Sequence, residues 1–261
     1  MITETFDPNP VAAINPEDLI QPHPELPPVG VSCFSRVTFE RLCSALGAVR
    51  IEGTEIGNAN GDVPIYRAAF AGHPFALFLS PVGAAACVGQ YEDLFAAGLR
   101  AAVVFGTCGV LDRSIPDCGV ILPSSAVRDE GVSYHYAAPS DEIPVNVGTL
   151  EAAKNVLNAI GVDYASGKVW TMDAVYRETR GLVEQRKAEG CIAVDMECSA
   201  LAALAAFRKR TILQFFYAAD NLDSETWDAR SLANGLALAE KDRVAFVAME
   251  LAAKLWETEE F

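Results

Sequence analysis

Ala101-Ala102-Val103-Val104-Phe105 is an unbroken apolar run, set off by Gly98 before it and Gly106 after it. A run this short does not make a helix, and a strand without polar alternation has to be covered on both faces. Residues 191–194 repeat the pattern, and 29–33 and 212–217 do so with one polar residue each, Ser32 and Gln214. Between and around these strands lie predicted helices at 38–46, 84–97, 149–160, 180–189, 199–207 and 236–255. Gly98 sits where a helix C-cap is expected. Further strands are predicted at 63–70 and 73–79, joined at Gly72, and at 120–123 and 168–171, with a polar and aromatic loop over 129–139. Strands alternating with helices predict an α/β fold: one domain with a central mixed, largely parallel sheet flanked by helices. The Pro-, Asn- and Asp-rich residues 1–28 read as an extended arm, and 29–261 as the domain.

At 261 residues and 51% hydrophobic, the chain can bury one large core. A net charge of −15 argues against nucleic acid or an anionic membrane surface as partner. The seven cysteines are scattered and form no Cys-x-x-Cys pair, so neither a zinc site nor a disulfide framework is expected. Reduced thiols suit a cytoplasmic protein. With three histidines, no metal site is expected. The acidic, proline-rich start does not read as a signal peptide, and no apolar run reaches the length of a membrane span.

Several predicted strands end in residues able to do chemistry, and an α/β sheet keeps its ligands at the carboxyl ends of its strands. Asp195 and Glu197 fall where strand meets helix. They read either as ligand carboxylates or as acids of a helix N-cap and first turn. Gly106-Thr107-Cys108-Gly109 reads as an anion-holding loop or as a tight turn, and it matches neither G-x-G-x-x-G nor a P-loop. Asp220 ends another apolar strand, as a proton donor whose pKa burial would raise or as a turn cap. Residues 173–180 carry Tyr176, Arg177 and Arg180, groups that could stack on a base or hold an anion, or form a solvated loop with an Arg–Glu pair.

Taken together, these segments resemble the nucleoside phosphorylase family of uridine phosphorylase and the hexameric purine nucleoside phosphorylases. Gly106-Thr107-Cys108-Gly109 is similar to the family's phosphate and ribose loop. Residues 128–136 resemble a uridine phosphorylase segment, and Trp170 to Tyr176 the base-side loop. Val194-Asp195-Met196-Glu197 is similar to the ribose-binding Val-Glu-Met-Glu, and Ala219-Asp220 to the Ser-Asp of purine-specific members. The resemblance implies cleavage of a nucleoside by phosphate, giving free base and ribose 1-phosphate, with inorganic phosphate as co-substrate and no cofactor. By it, Asp195, Met196 and Glu197 hold ribose, Gly106, Thr107 and Arg36 hold phosphate, and Cys108, Gly109, Val175, Tyr176 and Arg177 face the base. Asp220 donates a proton to N7 of a purine. It also implies a homo-oligomer, a dimer or a hexamer built of dimers, with His23 or His135 completing a neighbour's 5′ pocket.

The chain departs from this pattern. Val104 stands where the family places a phosphate-binding arginine, and Cys33-Phe34-Ser35-Arg36 where it places Gly-Asp-Pro. Asp195 replaces a glutamate. Asp220 favours a purine substrate, and residues 128–136 favour uridine. Val104 also suits a nucleosidase, which needs no cationic clamp, although the N-terminal loop offers no glutamate to orient water. A nucleoside-binding protein without turnover is the third possibility.

Overall fold

The computed structural model describes residues 2–54, 56, 61–233 and 235–258. In chain order it contains α1 (Pro16–Leu19), β1 (Val29–Cys33), α2 (Arg36–Leu46), β2 (Val49–Arg50), β3 (Tyr66–Phe70), β4 (His73–Leu79) and α3 (Ala84–Ala97). Next come β5 (Ala101–Val110), β6 (Val120–Asp129), β7 (Glu142–Pro144), α4 (Leu150–Ala159) and β8 (Tyr164–Met172). The chain ends with α5 (Arg180–Ala188), β9 (Cys191–Asp195), α6 (Cys198–Arg208), β10 (Thr211–Asn221) and α7 (Leu238–Thr258).

All ten strands join one mixed sheet, in the order β10-β6-β8-β9-β5-β1-β4-β3-β2, with β7 added to β6. Its two longest ladders, β5 with β10 and β6 with β8, are parallel. β10 also pairs with β5, so β5, β10, β6, β8 and β9 close into a ring, while β1, β4, β3 and β2 extend from β5 as an open wing. β7 had no counterpart among the predicted elements; it is three residues long, too short for a periodic signal.

Side-chain alternation along β5 explains why its apolar run needs helices on both sides. Ala101, Val103 and Phe105 enter one core layer with residues of α2, α4 and α7. Ala102 and Val104 enter the opposite layer with residues of α3 and α6. Phe105 stacks on its register partner Phe215 with ring centroids 5.4 Å apart, locking β5 to β10. The arm lies along the body: His23 N–H donates to Ala97, the Pro28 carbonyl accepts from Arg100 and Ala101, and Phe6 meets Phe207 edge-on. Among the described residues, no helix is long and apolar enough to cross a membrane.

Gly106-Thr107-Cys108-Gly109 is not a loop. β5 runs on to Val110, and this stretch pairs with Phe216, Tyr217, Ala218 and Asp220 of β10. The two glycines permit close packing rather than a turn. A Cβ on Gly106 would lie 2.6 Å from the Phe34 ring, and one on Gly109 would lie 2.4 Å from Leu222. β10 likewise continues through Asp220 to Asn221, with an irregularity between Ala218 and Asp220.

Candidate active site

The carboxyl ends of β5, β9 and β10 surround a cavity of about 190 Å³. Thr107, Cys108 and Gly109 form one side, Val194 to Glu197 a second, and Asp220 and Leu222 a third. Phe34, Val82, Val175, Glu178 and Leu232 complete the wall. Thr107 is the one exposed residue of β5. The sheet thus brings together Thr107, Cys108, Gly109, Val175, Asp195, Met196, Glu197 and Asp220, which the sequence singles out.

Asp195 and Glu197 part company at the turn between β9 and α6. Asp195 is buried, and its Oδ2 accepts from the N–H groups of Glu197 (2.8 Å) and Cys198 (2.6 Å). Its Oδ1 accepts from the Thr171 hydroxyl at 2.8 Å, and the Thr171 oxygen accepts in turn from Ser199 N–H at 3.0 Å. These contacts satisfy the otherwise orphaned donors at the start of α6. The capping alternative is therefore realised for Asp195, whose oxygens are engaged with the protein rather than open to a ribose. Behind it, Glu130 accepts from the Ser199 hydroxyl at 2.8 Å and from Val132 and Ser133 N–H, so the 130–136 segment is tied to the same helix start.

Glu197 turns the other way. Its Oε1 accepts from Gly83 N–H, at the start of α3, at 2.5 Å. Burial, and secondarily the Asp195 charge, push its pKa up to about 8. Burial also pushes Asp195 up to about 6, against three hydrogen bonds that favour its ionised form. A ligand donating hydroxyl hydrogen bonds to Glu197 would shift it back toward the carboxylate.

Asp220 projects from β10. Its Oδ2 accepts from the Trp227 indole N–H at 2.7 Å, and its Oδ1 lies 3.3 Å from where a Gly109 Cβ would stand. Burial raises its pKa, opposed by the Trp227 hydrogen bond and by Arg230. The turn after β10 is capped instead by Asn221, whose Oδ1 accepts from Asp223 N–H. Cys108 is buried with its thiol directed to the Tyr217 carbonyl.

Several expected site residues lie elsewhere. Arg36 is exposed, 4.0 Å from Glu40, and lines a separate cavity of about 800 Å³ beside the arm. Gly106 is shut off from the 190 Å³ cavity by the Phe34 ring. Tyr176 is 96% exposed, and neither it nor Arg177 reaches the cavity wall, because the short turn Val175–Arg177 directs only Val175 inward. Arg180 is spent on the carbonyls of Leu222, Ser224 and Glu225, which it clamps. His23 and His135 are also absent from the wall. Val104 is buried in the apolar layer beneath α3 and α6.

Glu178 is the acid that sequence reasoning missed. It was visible only as the acidic half of an Arg–Glu pair, with nothing to say which member faces inward. Among the described residues that line the cavity there are four acids, Glu178, Asp195, Glu197 and Asp220, and no lysine or arginine. No group of three His, Cys, Asp or Glu side chains among the described residues is arranged to hold a metal ion.

Comparison with known proteins agrees with this architecture. The chain is 29% identical over 126 residues to a DeoD-type purine nucleoside phosphorylase of Brevibacillus brevis, an alignment covering 48% of this chain and 54% of that protein. It thus spans about half the length of the curated relatives it matches. Uridine phosphorylase from Vibrio fischeri superposes with a TM-score of 0.75 at 20% identity, covering 91% of this chain and 97% of the other. AMP nucleosidase from Bacteroides thetaiotaomicron gives 0.72 at 16% identity, covering 90% of each chain. At those identities the two structures speak for the fold alone. The model of the phosphorylase superfamily matches residues 28–255, and with the strand-end cavity in place the chain belongs to that superfamily.

Proposed function

We propose that this protein cleaves the N-glycosidic bond of a purine ribonucleoside with water as the nucleophile. The observation that carries this reading is the make-up of the cavity: four carboxyl groups and, among the described lining residues, no cation. A phosphate dianion entering such a site lacks the bidentate, charge-assisted partner that an arginine supplies. Water needs no such partner. Glu197 accepts from the ribose hydroxyls and, once ionised, favours the oxocarbenium character that grows on the sugar as the bond breaks. Met196 packs beneath the sugar. Asp220, whose pKa burial raises, gives a proton to N7 of the departing purine. Val175, Leu222 and Leu232 supply the apolar walls that a flat ring needs.

Phosphorolysis is the second reading. It is favoured by the open Thr107 hydroxyl and by the names of the curated relatives. A second copy of the chain bringing an arginine to the cavity would supply the missing charge. The two readings separate in one assay, in which free base released from adenosine, inosine and uridine is measured in phosphate-free buffer and with phosphate added. Equal rates support hydrolysis, and release only with phosphate refutes it in favour of phosphorolysis. Faster release from uridine than from either purine nucleoside would overturn the purine assignment.

A further inference from the structure

Glu178 has no part in the mechanism above, yet it faces the reacting space. It lines the same cavity as Asp220, whose charge acts on it, and is half-buried. No donor among the described residues reaches its carboxyl. Burying an acid beside a second acid is unfavourable in the empty protein, and a ligand that brings a donor to it relieves that cost. Its position next to Asp220 specifies what the donor is. On a purine, the group adjacent to N7 along the same edge is the substituent at position 6. Adenine presents N7 as acceptor and the 6-amino group as donor, whereas a 6-oxopurine presents two acceptors. Burial, and secondarily the Asp220 charge, push the Glu178 pKa up to about 7. In its ionised form, with Asp220 donating to N7, Glu178 complements the first pattern and opposes the second.

We infer that Glu178 is a specificity-determining residue that accepts a hydrogen bond from the 6-amino group while Asp220 serves N7, so that the site takes 6-aminopurine ribonucleosides and rejects 6-oxopurine ones. The inference rests on the reading that Asp220 faces the base. Glu178→Gln keeps the shape of the side chain and gives it an N–H able to donate to a 6-oxo group. Two measurements on wild type, Glu178→Gln and Glu178→Asp test it: kcat/KM for adenosine and inosine, and equilibrium binding of free adenine and hypoxanthine. Wild type should favour the 6-amino member of each pair by at least about tenfold, with Glu178→Asp keeping part of that preference. Glu178→Gln should keep much of the adenosine activity, because its carbonyl can still accept from the 6-amino group, and should gain inosine activity, cutting the ratio by about tenfold or more. Equal binding of the two bases by wild type, or a ratio unchanged in Glu178→Gln, overturns the inference whatever the turnover. If neither nucleoside is cleaved but adenine still outbinds hypoxanthine and Glu178→Gln abolishes the difference, the specificity assignment stands and the catalytic reading falls.

Discussion

Replacing Glu197 with glutamine should make this protein more stable and less active, and the gain in stability should depend on pH. In the folded chain Glu197 is 7% exposed, lies near Asp195, and has its pKa pushed up from 4.5 to about 8. An acid that is harder to ionise when folded than when unfolded contributes stability that is fully present below the unfolded pKa. That contribution is lost as pH rises toward the folded pKa. At about 1.4 kcal/mol per pH unit, the loss is about 3 kcal/mol at pH 7 and about 5 kcal/mol above pH 8. Glutamine does not titrate, and its carbonyl can still accept from Gly83 N–H. Urea unfolding at pH 4.5 should therefore give similar stabilities for wild type and Glu197→Gln. At pH 8.5 the variant should be ahead by several kcal/mol, equivalent to a rise in Tm on the order of 10 °C. Turnover should fall by about 10²-fold, because a neutral amide steadies a developing sugar cation poorly. A stability gap that is the same at both pH values, or a wild type more stable than the variant at pH 8.5, would refute the assignment of a strained buried acid.

Asp195→Ala removes the acceptor for Glu197 N–H, Cys198 N–H and the Thr171 hydroxyl, and should cost about 3–5 kcal/mol in denaturant unfolding. Asp195→Asn, which keeps one acceptor oxygen, should cost clearly less, and equal losses would contradict the capping role. Asp220→Asn should lower kcat for a purine nucleoside by about 10²-fold or more while leaving substrate affinity within a few-fold; steady-state kinetics showing unchanged kcat would remove Asp220 as the proton donor. Arg180→Ala releases the carbonyls of Leu222, Ser224 and Glu225. It should raise KM by about fivefold to tenfold through a loosened cavity wall, with little change in Tm.

The fold was largely legible because its strands declare themselves. The run at 101–105 is apolar on both faces, and the structure buries it between two helical layers. The stop of α3 at Gly98 follows from its C-cap position. What could not be read was where strands β5 and β10 end. Glycine suggests a turn by its conformational freedom, but Gly106 and Gly109 are required by close neighbours, Phe34 and Leu222, that are distant in sequence. The candidate site was legible where its residues lie in the last part of a strand or just beyond it, as Asp220, Thr107 and Glu197 do. It failed on the loop at 175–178, where inward and outward residues alternate without a period: Val175 and Glu178 face the cavity, and Tyr176 and Arg177 do not. Arg36 failed for a different reason. Proximity in sequence to β1 does not fix direction, and the first turn of α2 carries it to solvent.

The strand bearing Thr107 is gripped by three others: β1 along residues 101–105, β10 over its whole length, and β9 at its far end. Moving any one of its atoms means shearing several ladders at once, so the floor of the cavity is the least adjustable part of the molecule. The segments at 173–179 and 222–233 lie outside the strand ladders and are held mainly by side-chain contacts, among them the Arg180 clamp on Leu222, Ser224 and Glu225. New preferences can therefore arise by rebuilding those segments, while the strand-borne part of the cavity stays where the ring of strands has fixed it.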